Sequence, residues 1–400
     1  MSPPDAPRFR QVDWEEIGAG GSARSTSTRV LLVGLAILAV LFGYSLTVTH
    51  GYLLRSWSVT PLDWLAMLAT VVLAAYGVVP AVAEWETTKR VLAGLRTHRG
   101  ATLAGLFLVA LVIVGFLGPI VLPTPKLRFQ YAYNPPFGFS SGITPSRCVG
   151  AVTGPVFHQR CHGSLLAPLG TNKRGLPMTY LLVTGARTTL YVLVVTAAFV
   201  VPLAAAVGVV AGLRGGLVDS LLTGYVDVQM SVPAIVVYFL GYAYFGPSLL
   251  LLLVAFGLFS WGGVARLVRS EVLQRREDGH VLVARQQGAS WSYLARRHVL
   301  PNVTNTLVPA VFHLLALLVL VEAGVAFLGF HQLELYSWGS TISESLNAAV
   351  GAYVQTRAEF PAYRIWWVST FPALALGATL LSLKLVGDGL RDALDPRGEP

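Results

Sequence analysis

The chain has 400 residues, of which 54% are hydrophobic and 12% charged, with a mean hydropathy of +0.62. A soluble domain carries about a quarter charged residues, so this composition excludes one and predicts an integral membrane protein. The formal net charge of +9 is no nucleic-acid footprint, because the bases stand scattered at the ends of apolar runs and are not interleaved with exposed aromatics.

Residues 1–28 are polar, contain Pro, Gly and Ser, and lack periodicity, which reads as an extramembrane tail. The first apolar run starts only near Val30 and is long enough to span, so no cleavable signal peptide is expected. Spans at Val30–Thr49 and Trp64–Ala83 form a hairpin within residues 29–100. Arg55 lies in the short loop between them, whereas Lys89, Arg90, Arg96, His98 and Arg99 follow the second span. That asymmetry puts the second loop, and with it the tail, in the cytoplasm. A third span, Thr102–Leu122, leads to a long external loop, 123–187. Loops longer than about 60 residues escape the charge rule, so its bases do not argue against an outward location. Cys148 and Cys161 both lie here, too few for a metal cluster and without CxxC spacing. In an oxidising compartment they join as a disulfide; otherwise they are two idle thiols.

A fourth span, Thr188–Gly212, ends in the tight turn Leu213–Gly216. The fifth contains Asp219, Asp227, Ser231 and Pro233. Pro233 is expected to kink it and free a backbone carbonyl, which is tolerated only where protein or water satisfies it. Asp227, Ser231 and Pro233 are therefore candidates for a translocation path, the plainer alternative being a kink beside a satisfied Asp. After the sixth span, Leu249–Val268, comes a cytoplasmic segment, 270–305. The seventh, Leu307–Phe327, carries Glu322 at membrane depth, where an acid either lines a path or bonds a neighbouring helix. An outer loop, His331–Arg364, and a last span, Ile365–Leu385, follow. The expected fold class is all-α, a polytopic membrane helical bundle of about eight spans with both ends inside.

The segment Val281–Asn302 stands between two apolar spans and is rich in Arg. Ala284 and Arg285 lie one helical turn before Gly288 and Ala289, and Gly288 is expected to adopt a left-handed cap. A second amphipathic piece runs from Ser290 to Val299, with Leu300-Pro301 expected to stop it. Two short helices around a Gly make a protruding elbow suited to a groove on a soluble partner. Ala284 and Ala289 would permit close approach, and Arg285 and Gln287 would make polar rim contacts.

No GxxxxGK[ST] loop occurs, so the chain is not expected to bind ATP by that route, and neither HExxH nor GxSxG is present. No metal-ligand spacing is seen. A self-sufficient channel or ion-coupled transporter using Asp227 and Glu322 remains the main alternative to a partner-driven device, and a membrane-embedded enzyme is a second.

Several stretches resemble the permease subunits of binding-protein-dependent ABC importers, in their dipeptide/oligopeptide/nickel branch. The pattern Ala284-Arg285-x-x-Gly288-Ala289-Ser290, followed by Leu300-Pro301-Asn302, is similar to that family's cytoplasmic coupling loop. Leu169, Gly170, Thr171 and Gly175 match its outer motif, as do Gly185, Ala186 and Arg187. Asp227 with Pro233, the run Ser260–Val272, Ser337-Trp338-Gly339 and the ending Gly387–Arg397 match further motifs. Leu282 and Val283 depart from the family's Glu-Ala, and Asn172 and Pro177 stand where it has acids. The resemblance covers Thr102–Arg397 and implies a six-helix permease domain within 101–400, with the hairpin as an addition. It further implies two ATPase subunits gripping the loop at Ala284, Arg285, Gln287, Gly288, Ala289, Ser290, Leu300 and Pro301. ATP and Mg would sit on those partners, with no cofactor on this chain. A second homologous permease, an extracellular solute-binding protein, a peptide-like cargo and a prokaryotic cell membrane complete the expectation.

Overall fold

A computed structural model describes residues 20–48, 52–54, 57–122, 125–142, 147–155, 158–330, 336–347 and 362–394. The chain divides into two compact units, Met1–Lys89 and Arg90–Pro400. Among the described residues seven helices are long and apolar enough to cross a membrane, or eight if one bent pair counts as a span. The protein is therefore a multi-pass helical membrane protein.

In the first unit, α1 (Gly20–Thr47) starts inside the stretch expected to be an irregular tail. After Gly20-Gly21 its first turns are Ser- and Thr-rich but contain no Pro, so the apolar helix extends into them. Helix α2 (Pro61–Leu73) opens with a capping box: the Thr60 hydroxyl accepts from the Asp63 amide at 3.2 Å, and the Asp63 carboxylate accepts from the Thr60 amide at 2.9 Å. The two helices approach closely, since a Cβ on Gly34 would lie 2.5 Å from Val71. A π turn, Ala74–Val78, links α2 to α3 (Val79–Ala83). Helix α4 (Trp85–Thr97) is amphipathic and basic, and passes into the second unit.

In the second unit, α5 (Arg99–Val121) is followed by an irregular segment between spans holding a small antiparallel sheet of β1 (Ser140–Ser141), β2 (Val152–Thr153) and β3 (Arg160–His162), in the order β1-β3-β2. The Cys148–Cys161 disulfide ties this segment, with Cα atoms 5.6 Å apart. The fourth span starts ten residues before the expected Thr188. Helix α6 (Met178–Val195), a π turn (Thr196–Val200) and α7 (Val201–Arg214) form one continuous apolar helix of 37 residues. The loop before it is shorter accordingly, because Met178–Arg187 is apolar enough to continue the span. The Gly215-Gly216 reversal has positive φ at both residues, +65° and +58°, where a side chain would be strained.

The fifth span is broken rather than kinked. Helix α8 (Gly216–Ser231) ends before Val232-Pro233, and α9 (Ala234–Phe245) leaves at 67° to it. Pro233 has no N–H to continue the α8 ladder and becomes the N-cap of α9. The sixth span is interrupted but not bent apart at Ser260-Trp261, between α10 (Leu249–Phe259) and α11 (Gly262–Arg275); both residues keep helical backbone angles. Helices α7 and α11 pack nearly backbone to backbone: a Cβ on Gly208 would meet the Ala265 carbonyl at 2.6 Å, and one on Gly212 would meet Val272 at 2.7 Å.

After the elbow, α14 (Leu300–Phe327) forms the seventh span, α15 (Trp338–Asn347) lies outside the candidate spans, and α16 (Trp367–Leu394) forms the last. A Cβ on Gly339 would overlap the Ala323 carbonyl at 1.8 Å, so α15 lies tight against α14. Around Trp367 packs a core of Leu176, Met178, Leu181, Ile365 and Val368.

Candidate functional site

The elbow is built from two helices and the turn between them. Helix α12 (Gly279–Gln286) ends in a complete Schellman motif. The Ala289 amide donates to the Ala284 carbonyl at 3.1 Å, the Gly288 amide donates to the Arg285 carbonyl at 3.0 Å, and Gly288 sits at φ +84°. Ser290 then caps α13 (Trp291–Leu294), its hydroxyl accepting from the Tyr293 amide at 3.3 Å. The sequence Gly-Ala-Ser thus has a residue-by-residue reason: left-handed stop, return bond, new cap. Buried Val281, Leu294 and Val299 hold the elbow from within. Leu282, Val283, Trp291 and Tyr293 are all exposed, between 41% and 53%. Arg285 lies over the Trp291 ring at 5.5 Å and Gln287 is exposed, while Ala284 and Ala289 are half-buried.

Leu300 and Pro301 do not stop the second helix. A π turn, Ala295–Val299, carries α13 straight into α14, with the Leu300 amide reaching the Ala295 carbonyl. Widening the turn accommodates a residue without an N–H, so Pro301 rides at the start of α14 instead of breaking the rod. The same arrangement recurs at Thr196–Val200 before Pro202 and at Ala74–Val78 before Pro80.

The path candidates separate. Asp227 pairs with Arg266 across α8 and α11, and both side chains are about half exposed. Ser231 is exposed one turn on, its hydroxyl donating to the Asp227 carbonyl at 2.8 Å, and Pro233 forms the break. Gln229, buried, ties that break to the next by donating to the Leu258 carbonyl. Below them Asp219 accepts two bonds from Arg269, both 2.6 Å, and one from Thr223 at 3.1 Å. Glu322 is not on this face. It is 6% exposed and bonds Ser337, in the segment that leads into α15.

Sequence reasoning missed Arg266, Arg269 and Glu344. The two arginines stand within an apolar run, which is itself a signal. Glu344 lies in an expected loop and offered none. Its carboxylate accepts from the Asn172 amide group at 3.1 Å and from the Lys173 backbone at 2.7 Å. Burial pushes its pKa up, against the pull of those bonds and of the Lys173 and Arg174 charges. Asn172 also accepts from the Arg174 and Leu176 amides, and Thr171 accepts from the Asn134 amide while its carbonyl accepts from Trp367 Nε1. This loop before α6 is thus a bonded knot, with Asn172 at its centre. Among the described residues no group of three or more His, Cys, Asp or Glu gathers to hold a metal ion.

The family described as binding-protein-dependent transport system inner membrane component matches residues 204–399, a stretch that includes the elbow and both Asp–Arg pairs. The chain is 30% identical over 214 residues to the dipeptide transport system permease protein of Bacillus subtilis, covering 53% of this chain and 63% of that one. It is 34% identical over 184 residues to the oligopeptide transport system permease protein of Escherichia coli K12, covering 46% and 57%. A Brucella suis protein named as a peptide transport system permease is 32% identical over 229 residues, 57% of this chain and 73% of its own length. The matched regions thus span less than two thirds of the Bacillus and Escherichia relatives' own length.

Proposed function

We propose, from the premise that the chain belongs to the family of binding-protein-dependent transport system inner membrane components, that it is one of two transmembrane subunits of an ATP-driven importer. The observation that carries this reading is the elbow: a rigid, capped projection whose apolar residues Leu282, Val283, Trp291 and Tyr293 are exposed. A mere linker has no need of such a surface, whereas a groove on an ATPase subunit would cover it. The named relatives carry dipeptides and oligopeptides, and a small peptide is the cargo we assign here. The chain contributes no catalysis. ATP and Mg bind on two partner ATPase subunits, a second homologous permease completes the path, and a solute-binding protein delivers cargo from outside. Both termini are cytoplasmic in this reading, residues 101–400 act as the permease domain, and the 29–100 hairpin is an addition to it.

Mechanically, closure of the ATPases displaces the elbow. Because α13, the π turn and α14 form one rod, that displacement passes into the membrane without a flexible joint. A mild-detergent pull-down of the tagged chain from its own host tests the reading. An ATPase and a second permease are expected to come down, and Gly288→Asp is expected to lose the ATPase while remaining inserted. A chain that comes down alone would overturn the importer reading in favour of a self-sufficient transporter.

A further inference from the structure

We propose that Asp227 and Arg266 form a site for the oppositely charged ends of a short zwitterionic peptide on the membrane path; this deepens the importer reading and rests on it. The pair belongs to two polar stripes. On α8, Ser220, Gly224, Asp227 and Ser231 are all exposed, and on α11 so are Gly263, Arg266, Ser270 and Gln274. Steps of three and four residues set each group on one helix face. Exposed Leu217, Leu221 and Val228 flank the stripe on α8.

Asp227 lies in α8, part of the bent pair Gly216–Ser231 and Ala234–Phe245, and Arg266 in Leu249–Arg275, helices apolar enough to cross a membrane. Charges within a span face the protein interior or a water-filled cavity rather than lipid, yet 55% of Asp227 and 47% of Arg266 are open. An aqueous path along this face accounts for both facts. Asp219–Arg269 is the contrast: doubly bonded, joined by Thr223, 17% and 31% exposed, and hence a structural clamp.

The chemistry fits a peptide with free ends. A guanidinium takes a carboxylate through paired N–H donors, and a carboxylate takes an ammonium group. Once the Asp227–Arg266 contact opens, a zwitterion can replace it end for end, so that in the bound state each charge has an opposite partner. Ser231 and Ser270 stand beside the pair on the same stripes.

The test uses the assembled importer carrying Ser231→Cys or Ser270→Cys. The native cysteines are disulfide-bonded, so the new thiol is the reactive one. A charged, water-soluble thiol reagent is expected to label both variants, and trialanine to slow the labelling. N-acetyl-trialanine amide, which has no charged ends, is expected not to slow it. Adding Asp227→Asn or Arg266→Gln should weaken the protection by about tenfold, the loss of one charge-assisted contact. Absence of labelling in a complex that retains its ATPase overturns the proposal, because the face is then covered by protein or lipid. So does equal protection by the blocked peptide, or none by trialanine. Absence of the ATPase from the complex counts instead against the importer reading, and removes the pair's role with it.

Discussion

Gly288 offers the sharpest test of the elbow because its cost can be assigned to one cause. At φ +84° it occupies the left-handed region, and a Cβ added there would meet no heavy atom within 4 Å. Substitution therefore causes no clash and charges only the backbone, about 1–2 kcal/mol for an ordinary L residue. Asn tolerates this conformation better, and a β-branched residue worse. Helix α12 has only eight residues to absorb the change, and leaving the left-handed region would release both Schellman bonds. A penalty of that size shifts the population of the formed elbow by a factor of about 5–30. ATPase retention in the pull-down and ATP-driven uptake should fall in the order Gly, Asn, Ala, Val across Gly288→Asn, Gly288→Ala and Gly288→Val. Wild-type retention by Gly288→Val would refute the need for the turn. Equal loss in Asn and Val would show instead that the surface tolerates no side chain, and would sink the conformational argument.

Asn172→Asp should destabilise the knot before α6 by about 1–3 kcal/mol, because it replaces a donor to Glu344 by a second carboxylate; adding Glu344→Gln should recover most of that loss in a thermal melt. The raised Glu344 pKa sets a pH dependence. A folded carboxyl that holds its proton more tightly than the unfolded one loses stability as pH rises above the ordinary 4.5. The purified chain should therefore melt higher on acidifying from neutrality towards that value, and Glu344→Gln should flatten this part of the profile; the same slope in both proteins would exclude Glu344 as its source. Removing the disulfide with Cys148→Ala and Cys161→Ala should cost about 3 kcal/mol, the value for a loop of this length. Limited proteolysis should then cut within the segment between α5 and α6 while the ATPase is still retained, and an unchanged digestion pattern would contradict that.

The spans were legible because a bilayer imposes one demand, a long apolar helix, and the sequence meets it openly. The elbow was legible in its turn, since Gly288-Ala289-Ser290 satisfies local capping rules that depend on few distant residues. Pro301 was misread as a stop because Pro ends an α-helix but not one that widens into a π turn, and that choice depends on the packing of Val299 and Leu294. Pro233 was read in the right place but too weakly: a kink keeps one helix, whereas Val232 in an extended conformation separates two. Asp227 was visible as a charge in a span, but its partner Arg266 is 39 residues away. The Asn172–Glu344 bond is longer still in sequence, at 172 residues, and no local pattern announces it.

Force from the elbow has two routes into the membrane, and their stiffness differs. On one side the elbow runs without interruption into α14. On the other it follows α11, which is fastened to α7 through Gly208 and Gly212 and by Arg276 donating to the Gly212 carbonyl at 3.1 Å. The routes differ at the elbow: α14 continues it, whereas the turn at residues 276–278 separates α12 from α11. Farther along, α8 and α9 part at Val232-Pro233, the helix is interrupted at Ser260-Trp261, and Gln229 ties the two together. In the importer reading, motion is taken up where the helices are interrupted. Asp227, four residues before Ser231, and Arg266, five residues after Trp261, stand beside those interruptions. In the importer reading the Asp227–Arg266 contact thus joins the two interrupted spans, where elbow motion and an exchange of the ion pair for a peptide would bear on each other.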